Sequence, residues 1–400
     1  MPDVFYPKTE QDVSDFIFDN YNKSNPIEIV GHGSKKIGRL IQSSQTLSLS
    51  SMSGILEYFP EELYIKVLPG TPLSEIETTL KQKNQFFGFE PNDLGYLYDG
   101  KSNSGSIGGV VSCNLSGPGR FKNGALRDHV LGFKSVNGSG GKVKSGGTVV
   151  KNVTGYDLSK IISGAYGTLC AITEINLKVS PLPEFEETFL VNDIDYVEAI
   201  EIFRIALDSS LEISGACFFP AANASFLTLN DVKKDTSVLG LRIQGPKASV
   251  IERMQSLNKM FKDKATSMLD TYQTSIFWRE IKNFEGYANS KEFVCKISLP
   301  ITNMVNFLKF FEKTNLKYFL DWGGNIAWCS LENQSDLDKM KIFCLKHDGY
   351  LTVLKANDNF RKSEEFLTNS DSNIKILSKK LKESFDPKGI LNPNKMYAGI

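Results

Sequence analysis

The run "GYLYDGKS" at residues 95–102 fits the phosphate-loop pattern G-x-x-x-x-G-K-[ST] at every position. A working loop of that kind follows an apolar strand, opens a helix after its lysine, and has small interior residues whose N–H groups close around phosphate. Here the interior is Tyr96, Leu97, Tyr98 and Asp99, and "EPND" precedes it. Two aromatics crowd such a turn, and Asp99 sets a negative charge beside an anion. No later acidic strand end stands out for magnesium. These residues argue against a nucleotide triphosphatase.

A second candidate is "EIVGHGSKKIG", where a predicted strand delivers Gly31 and Gly33 into a tight turn. Glycines there let backbone N–H groups approach an anion. Ser34 adds a hydroxyl and Lys35 a positive charge. The spacing is not G-x-G-x-x-G, so a Rossmann reading fails. Taken alone, a plain glycine turn between strands accounts for it equally well. A third run, "SNSGSIGGVVSCNLSGPGR" (102–120), packs small residues around one apolar turn. A flat buried ligand approached by backbone calls for this composition. Ile107, Val110, Val111 and Leu115 form a helical stripe, which argues against a flexible linker.

The elements that must position these runs follow from local pattern. Thr9 with Asp12 predicts a capping box for a helix over about 10–20. "PIEIV" (26–30) and "LYIKVLPG" (63–70) predict strands. Thr71 is the expected cap of a helix with Pro72 at its first position and Leu73, Ile76 and Leu80 as its apolar stripe. Residues 130–146 predict two strands joined by a glycine-rich turn, and 170–183 a strand stopped by prolines. From about 185, helices are predicted at 196–207, 247–262, 303–313 and 336–346. Strands are predicted at 213–219, 237–243, 293–299, 326–331 and 350–355. That alternation implies an α+β unit, an antiparallel sheet with helices on one face.

Four hundred residues, 41% hydrophobic and 23% charged, describe a globular chain of two or more domains. Lys plus Arg and Asp plus Glu are both 46, which gives no electrostatic reason to expect nucleic acid or an anionic membrane. No apolar run approaches a membrane span, and "MPDVFYPKTEQDV" has no signal-peptide character. The six cysteines are scattered without a C-x-x-C pair, as in a reduced cytoplasmic protein, and offer neither zinc nor iron–sulfur spacing. No metal site is expected.

"VGHGSK", "FEPND", "GSIGGVVSCNLSGPGR", "LRDHVLGFKSVNG", "GGTVVKNVTGYDLSKIISGAYGTLCAITEINLKVSPLP" and "FDPKGILNPNKMY" occur in this order. Together they resemble the E-subunit family of bacterial glycolate oxidases. That family lies within the vanillyl-alcohol-oxidase/p-cresol-methylhydroxylase-type (PCMH-type) FAD-binding flavoproteins. The resemblance covers residues 1–183 closely, returns at 385–397, and is loose between.

The resemblance implies a PCMH-type FAD-binding domain of two α/β lobes over 1–183, completed by the tail 371–400. An α+β cap over 184–370 then serves substrate or partner. FAD is implied as cofactor. Gly31, His32, Gly33, Ser34 and Lys35 would hold its pyrophosphate, and Ser106, Ile107, Gly108, Gly109 and Ser112 would lie along pyrophosphate and isoalloxazine. Pro91, Gly117, Thr168 and Ile172 would complete the lining. Many relatives tether the flavin through a histidine directly after the first glycines; Ser34 stands there in this chain, with His32 two residues earlier, so noncovalent FAD is implied.

The implied function is that of the FAD-binding subunit of a glycolate dehydrogenase complex. It would oxidise glycolate, a small 2-hydroxy acid, to glyoxylate with a second flavin subunit, and electrons would leave through an iron–sulfur subunit. The complex would be cytoplasmic, any membrane contact being indirect, through partners on the inner membrane's cytoplasmic face. Two other readings stand: a self-sufficient 2-hydroxy-acid dehydrogenase, or a structural subunit with a vestigial flavin site. The histidine-rich segment of the related catalytic subunit is missing from a chain with three histidines, so no catalytic base is assigned. His129 and His347 read as structural histidines. Arg127 with Asp128 suggests an ion pair fixing a loop. Lys151 could face an anionic flavin or pair with Asp157. Trp278, Trp322, Trp328 and Phe277 read as core and interface.

Overall fold

The computed structural model describes residues 3–147, 157–288, 290, 293–314, 316–368, 372–397 and 399–400. The chain opens with the helix Glu10–Lys23, closed at its start by the reciprocal Thr9–Asp12 capping box. Beside it lies a parallel three-stranded sheet in the order Asp3–Phe5, Gln45–Ser48, Ile27–Val30. A second, antiparallel sheet runs Ile55–Phe59, Tyr64–Val67, Cys170–Lys178, Val130–Asn137, Lys142–Gly146. The last two of these strands and the turn between them match the pattern predicted over 130–146.

The helix Leu73–Lys81 buries Leu73, Ile76 and Leu80 as the stripe requires, but its cap differs from expectation. Pro72 occupies the cap position. The Thr71 hydroxyl instead donates to the carbonyl of Leu68 (2.7 Å) and accepts from the N–H of Gly54 (2.9 Å). Thr71 is fully buried under that loop, so its hydroxyl serves the nearer backbone.

The second half of the chain is built on a nine-stranded antiparallel sheet, with all its strands between Phe185 and Thr368. Its order is Ala265–Leu269, Phe185–Asn192, Val238–Gly245, Gly215–Phe219, Lys317–Asp321, Ile326–Leu331, Phe293–Ser298, Tyr350–Lys355, Leu367–Thr368. The helices Tyr196–Leu207, Lys247–Met260, Ile301–Phe311 and Gln334–Lys346 stand where periodicity predicts them. To these the structure adds Phe185–Asn192, Ala265–Leu269, Lys317–Asp321 and the helix Thr271–Lys282. Phe185–Asn192 escapes an alternation test because its last five residues are all buried between two neighbouring strands.

A large hydrophobic cluster joins the five-stranded sheet to the nine-stranded sheet. A smaller one, including Val13, Ile17, Ile27 and Leu47, takes Ile390 and Leu391 from the tail. The C-terminus is thereby stitched under the first strand that leads to the glycine turn.

Candidate functional site

The phosphate-loop match is filled by the protein itself. Gly95 begins the short helix Gly95–Asp99 rather than a loop. The carboxylate of Asp93 accepts from the N–H groups of Gly95 (2.9 Å) and Asn103 (3.0 Å) and from the Ser102 hydroxyl (2.7 Å). A side-chain anion thus occupies the donors that a phosphate would need, as the crowded sequence suggested.

The other two glycine runs meet each other. Strand Ile27–Val30 delivers residues 31–35 against residues 104–109, and the two loops are pressed so closely that side chains are excluded. A Cβ on Gly31 would drive into the Ser106 hydroxyl, and one on Gly105 into that of Ser34. Gly33 and Gly105 both have φ near +67° (68° and 67°), a conformation that favours glycine. Ser34 and Ser106 are buried at 5% and 1% exposure. The Lys35 ammonium crosses the gap to donate to the Ser104 carbonyl at 2.7 Å, and burial lowers its pKa.

These loops border one cavity, lined by Gly31, His32, Gly33, Ser34, Lys35, Ser106, Gly108, Gly109, Ser112 and Ile172. Three further polar residues complete it from parts of the chain far away: Arg361, Asn392 and Lys395. Arg361 donates to the Gly38 carbonyl (3.1 Å) from the helix Asp358–Ser363. Burial, with Arg361 next in importance, lowers the pKa of Lys395. Asn392 is a bracket: its amide oxygen accepts from the Ile29 N–H (2.7 Å) and its amide nitrogen donates to the Tyr166 carbonyl (2.8 Å). Lys382 secures the same tail, donating to the carbonyls of Thr168 and Leu391 and to Asp386.

Four expected lining residues lie elsewhere. Ile107 points into the core with no exposure. Thr168 is buried, its hydroxyl donating to the Ala165 carbonyl. Gly117 packs under Glu90, where a Cβ would stand 2.5 Å from the Glu90 carbonyl oxygen, and Pro91 borders a separate cleft shared with Arg242 and Trp278. For Ile107, Gly117 and Thr168 the run borders the cavity but the residue is not part of its lining; no residue of 87–94 lines it. Gly108 lines the cavity, yet its N–H already donates to the Pro69 carbonyl (2.8 Å).

Residues 2–147 match the family model of an FAD binding domain. Across the chain, the glycolate oxidase subunit GlcE of Escherichia coli (strain K12) is 30% identical over 398 residues, covering 98% of this chain and 99% of that one. The chain belongs to that FAD-binding family. The glycolate oxidase subunit GlcD of Bacillus subtilis (strain 168) is 24% identical over 436 residues, covering 100% of this chain and 89% of that one. Among solved structures, 4-ethylphenol oxidase from Gulosibacter chungangensis shares the fold, with a TM-score of 0.71 at 13% identity, covering 99% of this chain and 89% of that one.

The cavity suits the family's cofactor. Lys35, Lys36, Arg361 and Lys395 set four cations against one carboxylate, Glu28, along a wall made narrow by glycine, and burial lowers the pKa of Lys35 and Lys395. His32 is exposed at its rim.

The remaining candidates divide. His129 is buried, its Nε2 on the Asn123 carbonyl (2.9 Å) and its ring edge-on to Phe89; burial lowers its pKa. His347 stacks on Phe343. Both serve packing. Asp128 does not pair with Arg127; it accepts from the Ala125 N–H (3.0 Å) and closes its own helical turn. Lys151 lies outside the described residues. Trp278 and Trp328 are buried as expected, but Trp322 is half-buried and borders a second, smaller chamber with Arg120 and Lys296. Sequence reasoning assigned no role to those two cations. No group of residues suited to a metal occurs among the described residues, and no described helix is long and apolar enough to cross a membrane.

Proposed function

We propose that the chain is the FAD-binding subunit of a glycolate dehydrogenase complex, oxidising glycolate or a closely related 2-hydroxy acid together with a second flavin subunit and an iron–sulfur subunit. The observation that carries this reading is the glycine-walled cavity with Lys35, Arg361 and Lys395 on its lining. The two lysines and the arginine would hold the pyrophosphate, with Ser34 and Ser106 supplying hydroxyl donors and Asn392 fixing the strand beneath. FAD bound there supplies a two-electron acceptor. Whole-chain likeness to the glycolate oxidase subunits GlcE and GlcD supports the substrate class and the place in a multi-subunit assembly. All six cysteines are free, and none pairs in a cluster-binding motif, so onward electron transfer falls to a partner.

Ser34 stands where a tethering histidine would be, which supports noncovalent FAD. An absorbance spectrum of the purified chain, repeated on the supernatant after acid precipitation, tests this. A flavin spectrum in the supernatant is expected. Flavin retained in the pellet would overturn noncovalent binding, and a colourless chain that also fails to take up added FAD would overturn the cofactor site.

A further inference from the structure

The second chamber shares Ile37, Cys113 and Tyr166 with the cavity just described, so the two adjoin. It encloses about 50 Å³, and no Asp or Glu lines it. Two cations do. Arg120 comes from the short helix that follows the glycine-rich run, and Lys296 from the strand Phe293–Ser298. Neither side chain makes an ion pair or hydrogen bond with a described residue. What they share is the indole of Trp322, with the Arg120 guanidinium 4.2 Å and the Lys296 ammonium 5.5 Å from its centroid.

Two like charges converging on one small chamber repel each other and are costly to desolvate without a counter-ion. Burial, reinforced by Arg120, pushes Lys296 down to about 8. Asp128 favours the Arg120 charge from outside the chamber, but it and Asp321 spend their hydrogen bonds elsewhere. Asp128 closes its helical turn, and Asp321 accepts from the Trp322 N–H (2.8 Å) and, at 3.4 Å, from the Trp328 indole.

The backbone that carries the indole is held under strain. Trp322 has φ +49°, a left-handed conformation that costs a non-glycine residue on the order of 1–3 kcal/mol. The Asp321 carboxylate fixes its backbone, and its ring N–H donates to the Gly117 carbonyl at 3.1 Å. This explains the glycine expected to touch the cofactor: Gly117 carries the carbonyl that orients Trp322. The surrounding structure thus holds a strained backbone in place so that the indole meets both cations.

We propose that the chamber bounded by Arg120, Lys296 and Trp322 binds the carboxylate of a small organic acid, with the rest of the acid directed past Tyr166 and Cys113 toward the larger cavity. The proposal deepens the reading of the site given above and rests on it for the purpose of binding. A planar guanidinium and an ammonium suit a carboxylate, and the limited space excludes a nucleotide or a sugar phosphate. The chain, and not only its partner, thereby recognises the acid.

The test uses the full chain as purified with its flavin, and sodium oxalate as probe, because oxalate has no C–H bond to oxidise. Isothermal titration calorimetry and tryptophan fluorescence follow binding; flavin absorbance reports cofactor content. Saturable binding is expected in the parent, weakened about tenfold or more in Lys296→Met and in Arg120→Met, since a hydrogen bond to a charged group contributes about that factor. Flavin content should be unchanged in both. Lys296→Gln and Arg120→Gln replace either variant should it fail to fold. No oxalate binding by the flavin-loaded chain, or equal binding in parent and variants, would overturn the chamber. A chain that lacks flavin yet binds oxalate through Arg120 and Lys296 would leave the chamber standing and remove the cofactor reading instead.

Discussion

Glu90→Gln tests what joins the two halves of the chain. Glu90 lies in the loop between the strand Gln85–Phe86 and the helix Gly95–Asp99, and Arg242 in the middle of the strand Val238–Gly245. The two carboxylate oxygens accept from the two terminal guanidinium nitrogens at 2.9 and 3.0 Å, a bidentate pair with Arg242 only 3% exposed. One of those oxygens also accepts from the Gly119 N–H (2.5 Å), tying the glycine-rich run to the same point. The amide keeps the shape and loses the charge. Breaking a buried pair by removing one partner costs about 3–5 kcal/mol, because the other charge is left uncompensated. Arg242 retains the Ser214 carbonyl (3.1 Å), the Ser214 hydroxyl (3.3 Å) and the face of Trp278 (4.9 Å). The loss should therefore fall at the low end, ~3 kcal/mol. At about 2–4 °C per kcal/mol for a cooperative unit of roughly 150–250 residues, that converts to a fall of ~6–12 °C in melting temperature. Urea titration followed by far-UV circular dichroism, with a parallel thermal melt, measures both. Replacing both partners by methionine should recover most of the loss, since an apolar pair leaves no buried charge. A Glu90→Gln loss below ~1 kcal/mol, or a double variant no better than the single, would refute the reasoning.

Three further outcomes are expected. Lys395→Met should weaken FAD retention by about 10–100-fold, measured by flavin spectral titration of the apoprotein, with little change in melting temperature, because it deletes a charge-assisted contact to an anion. Asn392→Ala should both loosen FAD and cost about 1–3 kcal/mol in urea, because it leaves the Ile29 N–H and the Tyr166 carbonyl without their partner. Asp321 supplies a pH signature. Burial above all raises its carboxyl from 3.8 to about 7, so the fold favours the protonated form. Its contribution to stability is full below about pH 4 and is lost as pH rises through 7. The urea midpoint of the parent should fall more from pH 5 to pH 8 than that of Asp321→Asn, and equal slopes would sink that assignment.

Much of the site was legible in the sequence because the information is local. The Thr9–Asp12 box, the strand before Gly31, and the small residues at 31–34 and 105–109 each depend on neighbours a few positions away. Their resemblance to a flavoprotein family carried the cofactor. The same locality misleads at 95–102, where a pattern of eight residues cannot register that Asp93, two positions earlier, has already taken its donors. It also leaves facing undecided. Ile107, Gly117 and Thr168 lie in runs that border the cavity, but whether a residue in such a run turns toward it depends on what packs against its other side.

What the sequence by itself determined, then, is which short segments have the conformational freedom and the donors to surround a flavin, and that the second half is an antiparallel sheet carrying helices. Only the tertiary structure decided what completes the site. Arg361, Asn392 and Lys395 reach the first loop across more than three hundred residues of chain, and Arg120 meets Lys296 and Trp322 across the boundary between the halves. The physical reason is that a cation's role depends on which counter-charge folding brings near it. Arg242 found Glu90 and became a strut, while Lys296 and Arg120, facing a chamber lined by no acid, kept their charge available for a ligand.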